Sequence, residues 1–404
     1  MAILWSHPSM LTAWCESSED DAGEPSERPG ADAYGLWNVE ALNFRQHLNE
    51  LQLDYQYVAP EQILNDDVLK QYPLLILPVT IALQPALVEK LEAYMQAGGV
   101  IVGDLRCLRT DEHGKPNSGL LKRIFGVERL GQVDYGKTQV TVKETAEGLD
   151  LRGKTLELYG REALQTAGAT ALAAHATGEP ALLVMNHGQG ASVYLNFALP
   201  QYDATIREFM RQIVQRAGIA REVTVENGKA EAPPRCWERD TFTRGAIAVH
   251  AFIRDHRRCE DSDPVTVNFG KTAYVYDMRA KQYLGQVKAV EAKLVPGDTA
   301  LYACLPYRVS GLAVKAPATV RAGESLVMTA TVQAAGKLGD HVLHVELLNP
   351  SGESVWHYRS NCFAPAGKLE LKVPLALNEQ PGQWTVKVRD VLTGTAGEAK
   401  VKVQ

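Results

Sequence analysis

Residues 71–104 read QYPLLILPVTIALQPALVEKLEAYMQAGGVIVGD, and the order strand, turn, helix, strand within this stretch decides the fold class. The apolar run 74–77 is short and bounded by Pro73 and Pro78, which suits a strand buried on both faces of a parallel sheet. Pro85 opens a helix in which Leu87, Leu91 and Tyr94 or Met95 recur at helical spacing. Gly98 and Gly99 end it, and 100–102 form the next buried strand. The ligand crevice of an open α/β sheet lies beyond the carboxyl ends of such strands. Chemistry is therefore expected at Pro78, Val79 and Thr80 and at Asp104, Leu105 and Arg106. The first group offers no nucleophile except one threonine.

Outward from this core, the pattern predicts a strand at 2–6 and an acidic loop at 15–35 rich in Gly, Pro and Ser. A helix at 36–51, a strand at 55–58 and a helical connection at 61–69 follow. Beyond Asp104 come a polar loop, a helix at 120–125 and strands at 140–143, 156–159, 181–186 and 192–197. A hairpin turn at 187–190 joins the last two strands, and 202–217 form an amphipathic helix. Alternating strands and helices predict a flavodoxin-like doubly wound domain with an antiparallel addition over 1–220. Strands without helices at 223–225, 246–253, 265–269, 273–276 and 301–305 predict a small antiparallel β domain over 221–308. Strands such as 326–332, 341–347, 369–373 and 385–388, with turn signals between them and Trp384 as a core tryptophan, predict an immunoglobulin-like β-sandwich over 309–404.

Three domains agree with a chain of 404 residues. A net charge of -6 leaves no basic footprint for nucleic acid or an anionic membrane. No apolar run approaches the ~20 residues of a membrane span. A strand that starts at the second residue is the pattern of a chain cut from something longer. The six cysteines (Cys15, Cys107, Cys236, Cys259, Cys304 and Cys362) are scattered without CxxC spacing, which favours reduced thiols over a disulfide framework or zinc site.

Residues 131–138, GQVDYGKT, satisfy the phosphate-binding pattern GxxxxGKT. That chemistry needs a helix N-terminus behind the loop, whereas 139–142 alternate as a strand, so the match is read as chance. Asp111, Glu112 and His113 place two carboxylates beside an imidazole, yet no second cluster supplies further metal ligands, and a solvated turn is the reading adopted. No GxSxG elbow is present, and Cys107 follows the wrong strand for a nucleophile. Trp237, Trp356 and Trp384 could stack on sugar rings, but tryptophan in a sandwich is more often core. No catalytic, cofactor-binding or metal-binding residue emerges.

The run 72–128, YPLLILPVTIALQPALVEKLEAYMQAGGVIVGDLRCLRTDEHGKPNSGLLKRIFGVE, resembles the amidotransferase-like trimerisation domain of bacterial β-galactosidases of glycoside hydrolase family 42. The later strings AYVYDMRAKQYLG and LVPGDTALYACLPY look like small C-terminal β domains of such hydrolases, and RAGESLVMTATV with PGQWTVKVRDVLTG looks like an immunoglobulin-like module. The resemblance implies a class I glutamine amidotransferase-like domain that has lost its cysteine, in agreement with Val79 and Thr80 at the elbow. Relatives carry paired catalytic glutamates on a preceding (β/α)8 barrel of about 250 residues, for which this chain has no room. It therefore implies an accessory portion of a glycosidase, partnered by a barrel domain or chain, by copies of itself in a trimer, and by carbohydrate. Asp104, Arg106, Asp111, Glu112 and His113 form the contact surface expected from the resemblance and the strand-end rule together. Two alternatives stand beside it: an autonomous amidotransferase-like or sugar-modifying enzyme using the strand-end loops, and a carbohydrate-binding protein acting through its β domains.

Overall fold

Strand alternation and helix stripes explain the first half of the chain. The structure, a computed structural model, describes residues 1–20, 33–146, 148–201, 203–226, 237–254 and 264–404. It divides into two units, Met1–Arg221 and Glu222–Gln404. The first contains β1 (Ala2–Leu4), α1 (His7–Asp20), α2 (Ala33–Glu50), β2 (Gln56–Val58), α3 (Pro60–Asn65), β3 (Leu74–Leu77), α4 (Pro85–Gln96) and β4 (Val100–Gly103). After these come α5 (Ser118–Phe125), β5 (Val127–Val142), β6 (Thr155–Thr166), β7 (Thr170–His175), β8 (Pro180–His187), β9 (Gly190–Leu195) and α6 (Ala204–Arg216). Nine strands make one sheet in the order β2-β1-β3-β4-β9-β8-β7-β5-β6. Pairing is parallel from β2 through β4 to β9 and antiparallel beyond.

Successive side chains of a strand point to opposite faces, so each central strand feeds two cores. Leu74, Ile76, Val100 and Val102 pack with Phe44 and Leu48 of α2 and with Phe209 and Ile213 of α6. Leu75, Leu77 and Ile101 pack with Leu87 and Leu91 of α4 and with Ile124 of α5. Helices cover both faces, and in such a sheet a ligand binds beyond the carboxyl ends of the strands. Pro85 at the first turn of α4 and the Asp203 side chain accepting the Thr205 and Ile206 N–H groups at α6 start those helices. Gly103 is required by close approach: a Cβ there would lie 2.4 Å from the Phe125 ring.

Two differences from the sequence reading concern the N-terminal part. Residues 15–20, expected in a loop, belong to α1, and α2 begins at Ala33; the rest of that expected loop, 21–32, lies outside the described residues, as do Tyr202, Cys236 and Cys259. The strand expected at 140–143 is the end of the much longer β5, so the GxxxxGKT match itself lies in a strand. A polar, glycine-containing strand hides this, because β5 buries few side chains along its first two-thirds.

Among its described residues the second unit is built of strands, turns and two short 3-10 segments. Its first part comprises β10 (Thr224–Glu226), β11 (Trp237–Arg244), β12 (Ile247–Arg254), β13 (Val265–Asp277), β14 (Gln282–Ala292) and β15 (Thr299–Leu305) in a six-stranded antiparallel sheet. Its second part comprises β16 (Val309–Lys315), β17 (Thr319–Val320), β18 (Ser325–Ala334), β19 (His341–Leu348), β20 (Ser360–Ala364), β21 (Lys368–Pro374), β22 (Gly382–Asp390) and β23 (Ala396–Val403). These form a three-stranded sheet, β16-β18-β21, and a five-stranded sheet, β17-β23-β22-β19-β20. One core runs through both parts, joining Ile247, Tyr276 and Leu305 to Leu326, Val345 and Trp384. A hydrogen-bond chain, Tyr307 to His341 at 2.9 Å and His341 to Asp390 at 3.0 Å, reinforces the join. Across the described residues strands far outnumber helices, and the chain is mostly β.

Candidate functional site at the strand ends

The carboxyl ends of β3 and β4 lie side by side because those strands pair in parallel. Immediately after β3 the chain turns through Val79, whose φ of 36° is left-handed. A β-branched residue avoids that region, so the turn is strained and its surroundings must hold it. Asp104 provides the hold: its Oδ1 accepts the Val79 N–H at 2.6 Å. The Cys107 thiol points the same way, 3.0 Å from the Leu77 carbonyl and 3.4 Å from Asp104 Oδ1. Burial and then the Asp104 charge push that thiol well above its ordinary pKa, which keeps it protonated and unreactive.

Opposite Asp104 stands Glu40 of α2. Both are 0% exposed. Leu199 N–H donates to Glu40 Oε2 at 3.0 Å, and the second oxygens of the two carboxyl groups, Glu40 Oε1 and Asp104 Oδ2, are buried without a hydrogen-bond partner among the described residues. Desolvation raises the pKa of both, and the Asp104 charge adds to the rise at Glu40. Two such neighbouring buried groups resist ionising together.

A second buried network anchors the loop after β4. Glu162, 0% exposed, accepts Arg129 Nε at 2.9 Å and the Tyr194 hydroxyl at 2.9 Å. Arg129 Nη2 also donates to the Cys107 carbonyl at 2.7 Å. Arg106, 2% exposed, pairs with Glu16 of α1. Over the strand ends, Ala13 of α1 and Trp37 of α2 pack on Val79, Ile81 and Leu105. Side chains thus occupy the place where an open α/β sheet would take a ligand.

The five residues expected on a contact surface separate into two groups. Asp104 and Arg106 are buried, so their side chains support the interior instead of facing a partner, a correction that follows from the α1 and α2 cover. Asp111, Glu112 and His113 stay on the loop that follows. Asp111 Oδ1 accepts the N–H groups of His113 and Lys115, each at 2.9 Å, which makes a rigid turn. That turn leaves the His113 side chain 76% exposed. Among the described residues no group of three or more potential metal ligands occurs.

Glu16, Glu40, Arg129, Glu162 and Tyr194 were missed by the sequence reading. Two carried a signal. Glu40 lies on the apolar stripe of its helix with Phe44 and Leu48, and Glu162 alternates in register with Leu156, Leu158 and Leu164. An acid on a buried face needs a partner, which the sequence does not name.

Residues 41–220 match the family of the β-galactosidase trimerisation domain. Among curated proteins, β-galactosidase Pbg of Clostridium perfringens is 26% identical over 55% of this chain and 36% of its own length. Among solved structures, the β-galactosidase of Bacillus circulans sp. alkalophilus superposes with a TM-score of 0.57 at 14% identity, over 75% of this chain and 41% of that one. A catalytic mutant of Gan42B, a family 42 β-galactosidase of G. stearothermophilus, gives 0.55 at 15% identity, over 75% and 40%. The chain therefore spans about two-fifths or less of the length of these relatives. Over residues 41–220, which include Val79, Asp104 and Arg106 but not the covering residues Ala13, Glu16, Trp37 and Glu40, the chain is thus similar to the β-galactosidase trimerisation domain.

Proposed function

We propose that this chain is a non-catalytic accessory and oligomerisation portion of a β-galactosidase-like glycoside hydrolase, offering scaffold and protein contacts to a catalytic barrel supplied from outside it. The observation that carries the reading is the turn after β3. It keeps the left-handed backbone with which α/β enzymes present a nucleophile, yet holds Val79 there, 0% exposed and sealed by Ala13 and Trp37. A filled crevice counts against an autonomous amidotransferase-like or sugar-modifying enzyme. The parallel order β2-β1-β3-β4 with helices on both faces supports the flavodoxin-like, amidotransferase-like description. Two packed sheets, antiparallel except where β17 runs parallel to β23, support the immunoglobulin-like one. The division into 1–220, 221–308 and 309–404 follows the same reading, with the last two parts sharing a core.

Partners in this proposal are a glycosidase barrel and two further copies of the chain, with Asp111, Glu112 and His113 on the contact loop. The test combines light scattering of the purified chain, co-purification with a family 42 barrel and an assay on aryl β-galactosides. A trimeric mass, capture of the barrel and no turnover are expected; hydrolysis by the chain alone overturns the proposal.

One observation keeps carbohydrate as a further partner: Trp356 is 77% exposed, whereas Trp237 and Trp384 are core residues at 2% and 1%. Glycan-array binding that is lost in Trp356→Ala supports sugar stacking there; binding unchanged by the substitution removes it.

A further inference from the structure

Among the fastenings of the cover over the strand ends are three that reach from α1 and α2 to the loops after β3 and β4. Ser9 Oγ of α1 donates to the Ala82 carbonyl at 3.0 Å, Glu16 of α1 reaches Arg106, and Glu40 of α2 meets Asp104. The first two fastenings need no dissociable proton between acids. The third does. Each carboxyl group spends one oxygen on a backbone N–H, Leu199 for Glu40 and Val79 for Asp104. The other oxygens, Glu40 Oε1 and Asp104 Oδ2, are buried and receive no N–H or O–H from another described residue. Among the described residues, a proton between the two carboxyl groups is the donor available to them.

Among the described residues the surroundings offer no replacement charge. Facing Asp104 are the Cys107 thiol, the Val79 amide and Glu40 itself. Facing Glu40 are Leu199 N–H and Asp104. Arg106 is engaged by Glu16, and Arg129 by Glu162. Further along α2, His47 lies against the Pro200 carbonyl at 2.8 Å, and burial lowers the pKa of that imidazole. Removing the shared proton thus leaves two neighbouring buried carboxylates with no cation among the described residues to separate them.

We propose that α1 and α2 form a pH-sensitive strap over the strand ends, closed while Glu40 and Asp104 share a proton and released when that proton is lost at alkaline pH. The folded chain holds the proton more tightly than the unfolded chain does. The fastening is therefore at full strength below the ordinary carboxylate range and weakens as pH rises towards the raised folded values. Release of the strap bares Val79, Ile81 and Leu105 together with Arg106, a different surface from the one the closed form presents.

Hydrogen exchange of the full chain, corrected for intrinsic rates, tests this at about pH 6 and about pH 9.5. Peptides from α1 and α2 are expected to lose protection at the higher pH by up to about tenfold per pH unit, while β8 and β9 in the same unit stay protected. In Glu40→Gln the amide donates to Asp104 without a titratable proton, so the pH dependence of the strap peptides should vanish. Equal behaviour of strap and sheet peptides in the wild-type chain overturns the proposal, and so does an unchanged pH dependence in Glu40→Gln. The wild-type comparison decides alone if the variant does not fold.

Discussion

Asp104 at the end of β4 holds the strained backbone of Val79 at the end of β3 through a 2.6 Å hydrogen bond from the Val79 N–H. Two adjacent parallel strands are thereby locked where an enzyme of this architecture would open a site. Asp104→Ala removes the acceptor and leaves a buried N–H unsatisfied, so a loss of about 1–3 kcal/mol is expected near pH 6. Asp104→Asn keeps an acceptor for Val79 and a donor for Glu40 and should cost clearly less. Urea unfolding midpoints of the two variants check the order.

The Glu162 pair with Arg129 should be the more costly one to break. Glu162 is fully buried and the Arg129 side chain is only 15% exposed, so Glu162→Ala strands a desolvated guanidinium. A destabilisation of about 3–5 kcal/mol is expected. Double-mutant analysis with Arg129→Met checks that the loss belongs to the pair: the double variant should recover part of it.

His250 in β12 stacks on Phe269 with ring centroids 5.6 Å apart. Burial, then Arg239 and Lys271, lower its pKa to about 4. The folded chain thus binds this proton more weakly than the unfolded chain, whose imidazole titrates near its ordinary value of about 6.5. Stability from this residue is complete above about pH 6.5 and is lost as pH falls towards about 4, with a slope of at most about 1.4 kcal/mol per pH unit. Stability measured across that window should fall less steeply in His250→Asn, and the imidazole resonances of the native chain should titrate near the lower value.

Tryptophan substitutions should split by position. Trp384 is 1% exposed, its Nε1 donates to the Gln380 carbonyl at 2.8 Å and its ring meets Tyr358. Trp384→Ala should cost about 3–5 kcal/mol. Trp356, on an exposed turn, should tolerate alanine within about 0.5 kcal/mol. Thermal unfolding of both variants in the same buffer is the measurement.

By itself the sequence determined the elements whose side chains obey a period. The uninterrupted 74–77 and 100–102 runs became the doubly buried β3 and β4, and the stripe Ile206, Phe209, Met210 and Ile213 became the inner face of α6. Hydrophobic burial depends on local spacing, so these were legible without partners. The strand-end positions Val79, Thr80 and Asp104 were legible too, because parallel β-α-β connections put carboxyl ends together.

Only the tertiary structure decided what those positions do. Asp104 and Arg106 read as surface residues until α1 and α2 closed over them, and α1 itself, with Ser, Cys, Glu and Asp along it, has too weak a stripe to announce a helix. Pairing of Glu40 with Asp104, and of Glu162 with Arg129, joins residues far apart in the chain. Such pairing rests on where buried charge finds compensation, a property of three-dimensional packing that no local pattern of residues encodes.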